Sequence, residues 1–195
     1  MSYLYDQESG LIMDNQHKYK NFISEIPSTA VEVYRMLPEG TRCEVIFNEL
    51  SMVPSPTPLH QLLLSDLHAL LYIFLKNANS GKVIPAPVDV YLENYESVVQ
   101  PDLIVLLNEN LQQIKKDGIY GAPDVVFEIL SSNRTYDTQR KRSLYEKAGV
   151  KEYFLIDPEN KKVTLLTLNA AGTYEQIYEE VGALNSKLLS CKLTF

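Results

Sequence analysis

Two apolar runs that each carry a single carboxylate constrain this chain more than any other feature. Val98-Val99-Gln100-Pro101-Asp102-Leu103-Ile104-Val105-Leu106-Leu107 reads as a buried strand interrupted by Asp102. Val125-Val126-Phe127-Glu128-Ile129-Leu130 reads the same way, with Glu128 its one charge. Runs this apolar suit strands covered on both faces. Ionised acids are almost never fully buried unless they are paired or hold a metal. The chain must therefore bring partners to these acids or turn them out. Outward placement would put Asp102 in a turn after Pro101 and Glu128 on an edge strand.

A cation is available nearby. Spacing predicts a helix from about Asp137 to Ala148, closed by Gly149, with Asp137 as its N-cap. Lys141, Leu144, Tyr145 and Ala148 stand at i, i+3, i+4 and i+7, so the lysine lies on the apolar face. Either its stem snorkels outward or its ammonium meets acids. Two carboxylates and a lysine form a set that chemistry uses. Carboxylates hold Mg2+ through hard oxygens and leave positions for water and phosphate, while a compact ammonium can orient that water.

The remaining pattern is a mixture of helices and strands, the α/β (α+β) class. A polar arm is expected over 1–27, and a single domain over 28–195. Ser28-Thr29 should cap a short helix reaching Leu37, and Pro58 to Lys76 should form a long one. Strands are expected at 44–47 and 50–53 around an Asn48-Glu49 turn, then at 83–92, 98–107, 125–130 and 153–156. Further strands are expected at 163–168, 174–178 and 188–193, which completes a mixed sheet with at least two helices packed on it.

Composition narrows the function classes. The chain has 195 residues with a net charge of −7, so wholesale wrapping of nucleic acid or an anionic membrane is not expected. Two cysteines, Cys43 and Cys191, are too few for a disulfide framework or a zinc site. The apolar runs read as too short to span a bilayer and the first residues do not resemble a signal peptide, so a cytoplasmic protein without a membrane partner is expected. Only residues 134–151 run against the acidic trend. Arg134, Arg140, Lys141, Arg142, Lys147 and Lys151 oppose Asp137 and Glu146 there, a local +4 that fits either a phosphate contact or a solvated helix face.

The order Pro101-Asp102, then Glu128 in an apolar strand, then a lysine resembles the PD-(D/E)XK nuclease superfamily. More closely, five stretches resemble the bacterial family of putative restriction endonucleases of the Uma-two type. They are Cys43 to Leu50, Pro54 to His60, Val99 to Leu103, Ala122 to Ser131, and Asp137 to Tyr153. The resemblance implies a restriction-endonuclease-like core, a central mixed β-sheet flanked by α-helices, with additional β-hairpins. It also implies Mg2+-dependent hydrolysis of phosphodiester bonds, with Mn2+ as a substitute. Asp102 and Glu128 would be the metal ligands, Glu44 an additional acidic member, and Lys141 the catalytic lysine. The superfamily lysine stands two residues after the glutamate, where this chain has Leu130, so the charge would come from the following helix.

Softer expectations accompany these. His60 matches a frequent family histidine, against the reading of an exposed residue at a helix start. His68 reads as structural, and His17 in the arm carries no signal. Asp89 and Asp124 read as strand-surface and turn residues. Gln100 shares strand parity with Asp102 and could line the same face. The expected activity is endonucleolytic cleavage of DNA by a homodimer. The alternatives are a nuclease-like fold that binds without cutting and a metal phosphodiesterase for small substrates.

Overall fold

The computed structural model describes residues 26–38, 40–130 and 136–195, without the side chains of 136–138. Most of the expected arm, His17, Arg134 and the side chain of the expected N-cap Asp137 lie outside the described residues.

The first described helix, α1 (Ala30–Met36), is set by its cap. Thr29 accepts from the Glu32 N–H, and the Glu32 side chain returns to the Thr29 N–H. β1 (Cys43–Ile46) and β2 (Glu49–Met52) follow as a hairpin. Its turn is Phe47-Asn48, both at positive φ, one residue earlier than the pattern predicted. α2 (Pro58–Ala78) starts on a Thr57 cap with proline in its first turn, and it stops where Asn79 turns left-handed.

Both long apolar runs expected as single strands are divided. The first becomes β3 (Gly81–Pro85) and β4 (Val90–Leu92), which pair into different sheets. The second becomes β5 (Ser97–Val99) and β6 (Leu103–Leu107), also in different sheets. Proline is the reason. Pro85, Pro87 and Pro101 carry no N–H for an interior ladder, so the chain leaves one sheet and enters the other there. The two crossings are tied together by a 2.9 Å hydrogen bond from the Ala86 N–H to the Asp102 carbonyl. Asp102 thus sits in the turn leading into β6.

The remaining elements are β7 (Ile119–Tyr120), β8 (Val125–Ile129), a π-helical turn (Tyr136–Lys141) running into α3 (Arg142–Ala148), then β9 (Glu152–Ile156), β10 (Lys162–Leu168) and β11 (Tyr174–Val181). A last hairpin, β12 (Ala183–Ser186) with β13 (Cys191–Thr194), replaces the single strand expected at 188–193. The larger sheet has the order β11-β10-β9-β8-β6-β3 and is mixed, because β8 and β9 run parallel. The smaller sheet has the order β2-β1-β5-β4-β7.

Parity along the central strands assigns each helix its face. Leu103, Val105, Val125, Phe127 and Ile129 pack with Leu63, Leu67, Leu71 and Leu75 of α2. Ile104, Leu106 and Val126 pack on the opposite side with Leu144 and Tyr145 of α3. Each buried leucine of α2 contributes about 1.5–3 kcal/mol of transfer free energy. Phe127 stacks on Phe154 with centroids 4.7 Å apart, so Phe127→Ala would cost about 3–5 kcal/mol. Contrary to the sequence expectation, α2 is long and apolar enough by length and composition to cross a membrane, yet one face of it packs into this core.

Candidate active site

A cavity of about 400 Å³ opens where the two sheets meet, lined by Glu44, His60, Gln100, Asp102, Glu128 and Lys141 among others. All four residues expected from the sequence are therefore brought to one place, by different elements. Glu44 comes from β1, interior to the smaller sheet. Glu128 comes from β8, interior to the larger one, on the same face as Val126 and hence toward α3. Asp102 and Glu128 each stand one residue beyond the registered pair Leu103↔Phe127. Lys141 comes from the turn that runs into α3.

The lysine does not snorkel. The residue is 5% exposed, and its ammonium lies 3.0 Å from Glu44 Oε1 and 3.0 Å from Glu128 Oε1. Tyr145, one helical turn along, donates its hydroxyl to the same Glu128 oxygen at 2.8 Å. Burial, reinforced by the negative charge of Glu128 and Glu44, pushes that hydroxyl well above its ordinary value, so it remains a donor. Glu44 Oε1 also accepts the Gln100 N–H at 2.8 Å, which locks the carboxylate to the chain crossing.

Asp102 is held on the other wall. Its Oδ2 accepts the Ile129 N–H at 2.7 Å and lies 3.2 Å from His60 Nε2. His60 is 7% exposed rather than exposed, because the first turn of α2 faces the cavity and Asp102 supplies a partner for the ring. Burial pushes the imidazole down, but Asp102 outweighs it and holds the histidine above its ordinary value.

A family model described as "Putative restriction endonuclease" (Uma2) matches residues 30–191. The chain belongs to this family. Among solved structures it is similar to a putative nuclease belonging to DUF820 from Anabaena variabilis ATCC 29413. The two are 18% identical and superpose with a TM-score of 0.69 over 86% of this chain and 95% of the other, which shows a shared fold. No curated protein matches.

For this member of the family, the donor set suits a hard cation. Among the described residues no three His, Cys, Asp or Glu side chains form a ready-made metal cage. Carboxylates on facing walls of one cavity are instead the sparse oxygen set that Mg2+ accepts, since it keeps several waters. The carboxylates lining the cavity, Glu44, Asp102, Glu128 and Glu159, outnumber its cations Arg42 and Lys141, so the cluster has room for added positive charge.

Other residues fall elsewhere. Gln100 lines the cavity as its parity suggested, but its side-chain amide reaches Asp89 at 2.9 Å and the Tyr34 hydroxyl at 3.1 Å. His68 lies against Tyr72 on α2, centroids 6.1 Å apart, and does not line the cavity. Asp124 stands in the bend before β8, as expected of a turn residue, but it is buried. It is 2% exposed and accepts from the Leu107 N–H, the Asn110 amide and Lys151. Glu152, for which the sequence pattern carried no expectation, is buried at the head of an apolar strand and saturated by Ser186 and the Lys187 and Leu188 N–H groups. A single charge opening the run Tyr153 to Ile156 was the available signal.

Most described cations of the basic segment have partners within the molecule. Arg140 pairs with Glu49 at 2.7 Å, Lys147 lies over the Phe47 ring, Lys151 pairs with Asp124, and Arg142 reaches the Tyr174 carbonyl. Lys141 is buried between Glu44 and Glu128, whereas Arg142, Lys147 and Lys151 are exposed, as a solvated helix face would have them.

Proposed function

We propose that this protein is an Mg2+-dependent endonuclease that hydrolyses phosphodiester bonds in DNA at the Glu44–Asp102–Glu128–Lys141 cavity. The observation that carries the reading is a buried lysine clamped between carboxylates from two sheets beside a third carboxylate. Burying charges costs several kcal/mol per ion, and a well-packed apolar set would serve stability as well or better. Asp102 and Glu128 would hold the cation, which when bound acidifies a water and stabilises charge on phosphorus. Lys141 contributes the fixed ammonium that orients a water and meets phosphate oxygens. Glu44 and Tyr145 hold Lys141 and Glu128 in register. His60 and the Ile129 N–H fix the rotamer of Asp102.

A homodimer is the assembly that would present two cavities to a duplex, and closed twofold pairs are the commonest oligomers. Sedimentation as a monomer at micromolar concentration would remove that part.

The test of the activity is cleavage of supercoiled and linear DNA with Mg2+, Mn2+ or EDTA, alongside Glu128→Ala. Cleavage that needs the cation and disappears in the variant supports the reading. Cleavage in EDTA, or equal cleavage by Glu128→Ala, overturns it. The engagement of the basic segment favours a second reading, a nuclease fold that binds without cutting. DNA bound but left intact under every cation would select it.

A further inference from the structure

The cleavage cavity shares a wall with a second one. Pro87 and Gln100 line both, and the second has a volume of about 1240 Å³. Their charges differ in sign. Glu44, Asp102, Glu128 and Glu159 face Arg42 and Lys141 in the first, whereas Arg35, Lys115 and Lys116 face Asp89 and Asp117 in the second. The first alone repels a polyanion, so a strand held there needs cations alongside. In the basic segment 134–151 the described cations already have partners, Arg140 with Glu49, Lys151 with Asp124 and Lys147 over the Phe47 ring.

The second cavity does supply them, on a rigid support. Lys115 and Lys116 sit at the tip of a turn closed by the Ile114↔Ile119 bridge and by a 2.8 Å hydrogen bond from the Lys115 N–H to the Gly118 carbonyl. Gly118 lets that turn rest directly on β4. A Cβ there would stand 2.7 Å from the Asp89 carbonyl oxygen and 2.8 Å from the Tyr91 ring. Both lysines are exposed, and among the described residues neither makes an ion pair. Asp89 does not oppose them freely. Its carboxylate accepts the Tyr34 hydroxyl at 2.7 Å, the Tyr91 hydroxyl at 3.2 Å and the Gln100 amide at 2.9 Å. Aromatic surface completes the lining. Tyr120 stacks on Tyr91 with centroids 4.7 Å apart, and Arg35 lies 5.3 Å above the Tyr91 ring.

Exposed lysines beside a half-buried tyrosine, here Tyr120, are a combination that holds single-stranded nucleic acid, since phosphates take the cations and unstacked bases take the ring. We propose that the second cavity seats an unpaired stretch of the DNA strand next to the bond that is cut. Phosphates would lie on Lys115 and Lys116, and a base against Tyr120. The assignment rests on the nuclease reading for the identity of its ligand. It makes an unpaired stretch beside the cut, in a frayed or locally opened duplex, the feature that the protein prefers in its DNA.

The test is fluorescence anisotropy of the full chain in EDTA with labelled oligo-dT and with a duplex of equal length, across a salt series. The parent should prefer oligo-dT. The double variant Lys115→Ala/Lys116→Ala should bind oligo-dT at least about tenfold more weakly. Its slope of log K against log salt should be shallower by about 1.4, two contacts at about 0.7 each. Tyr120→Leu should weaken oligo-dT binding by about fivefold or more with the slope kept. The lysines are exposed, so the double variant is the one whose folding is not at stake. Oligo-dT binding equal to the parent in the double variant, or equal losses on duplex and single strand, overturns the proposal. Cleavage is scored separately. A chain that cuts while ignoring Lys115, Lys116 and Tyr120 defeats this assignment alone, and one that binds through them without cutting defeats the nuclease reading alone.

Discussion

Asp124 and Glu128 bracket the same strand, are buried to 2% and 3% exposure, and each meets a lysine, yet only Glu128 lines the cavity. Asp124 is consumed by a main-chain N–H and an amide, and its lysine is half in water, with 48% side-chain exposure. Glu128 is met by Tyr145 and by a lysine whose side chain is 6% exposed and shared with Glu44. A buried carboxylate is thus a strut when main-chain and amide donors saturate it. One whose partners are side chains gathered around open space is placed for the metal-binding role proposed for Glu128.

The sharpest way to break this contrast is Lys141→Met, which keeps the stem and removes the charge. Glu44 and Glu128 would be left buried without their shared cation, at a cost of about 3–5 kcal/mol in urea unfolding. Added Mg2+ should restore more stability to this variant than to the parent, and an equal response would argue against a cation at the carboxylates. Next in size, Glu128→Gln should lower DNA cleavage at least about a hundredfold, since loss of an outer partner alone commonly costs 10–100-fold. Asp124→Ala should leave the rate per folded molecule within a few-fold of the parent.

The effect of Asp124→Ala belongs on stability, about 2–3 kcal/mol, because the Leu107 N–H and the Asn110 amide lose their acceptor. Burial pushes this carboxyl up, but Lys151, Asn110 and the Leu107 N–H outweigh burial and hold it below its ordinary value of 3.8. A lowered folded value lends stability above the unfolded value, and that stability is lost as pH falls through the folded one. The deficit of Asp124→Ala measured near neutral pH should therefore shrink in urea titrations below about pH 4. Smallest of all, Lys151→Ala should cost under about 1 kcal/mol, as befits a half-exposed cation.

Legibility followed the same division. Glu128, Lys141 and the parity that turns them toward each other could be read from the chain, because a charge in an apolar run must find a partner. That helices flank the larger sheet came from the family resemblance, not from spacing. The crossings at Pro85–Pro87 and Pro101 were not, since hydrophobic runs look alike whether they feed one sheet or two. The burial of His60 depends on where the first turn of α2 lands after those crossings, which spacing does not encode. The partners of the basic segment were not legible either, since composition counts cations but does not show that Arg140 meets Glu49 or that Lys151 meets Asp124.

The site is divided between two sheets, and this has a consequence for synthesis. Glu44 leaves the ribosome first, Asp102 and Glu128 follow, and Lys141 comes last of the four. The strand β9 that pairs β8 on its far side is made later still. Until then one side of β8 has no neighbouring strand to hold Glu128 in place. A copy that stops before β9 is expected to lack the assembled set, so any nucleolytic capacity would come only after β9 has paired.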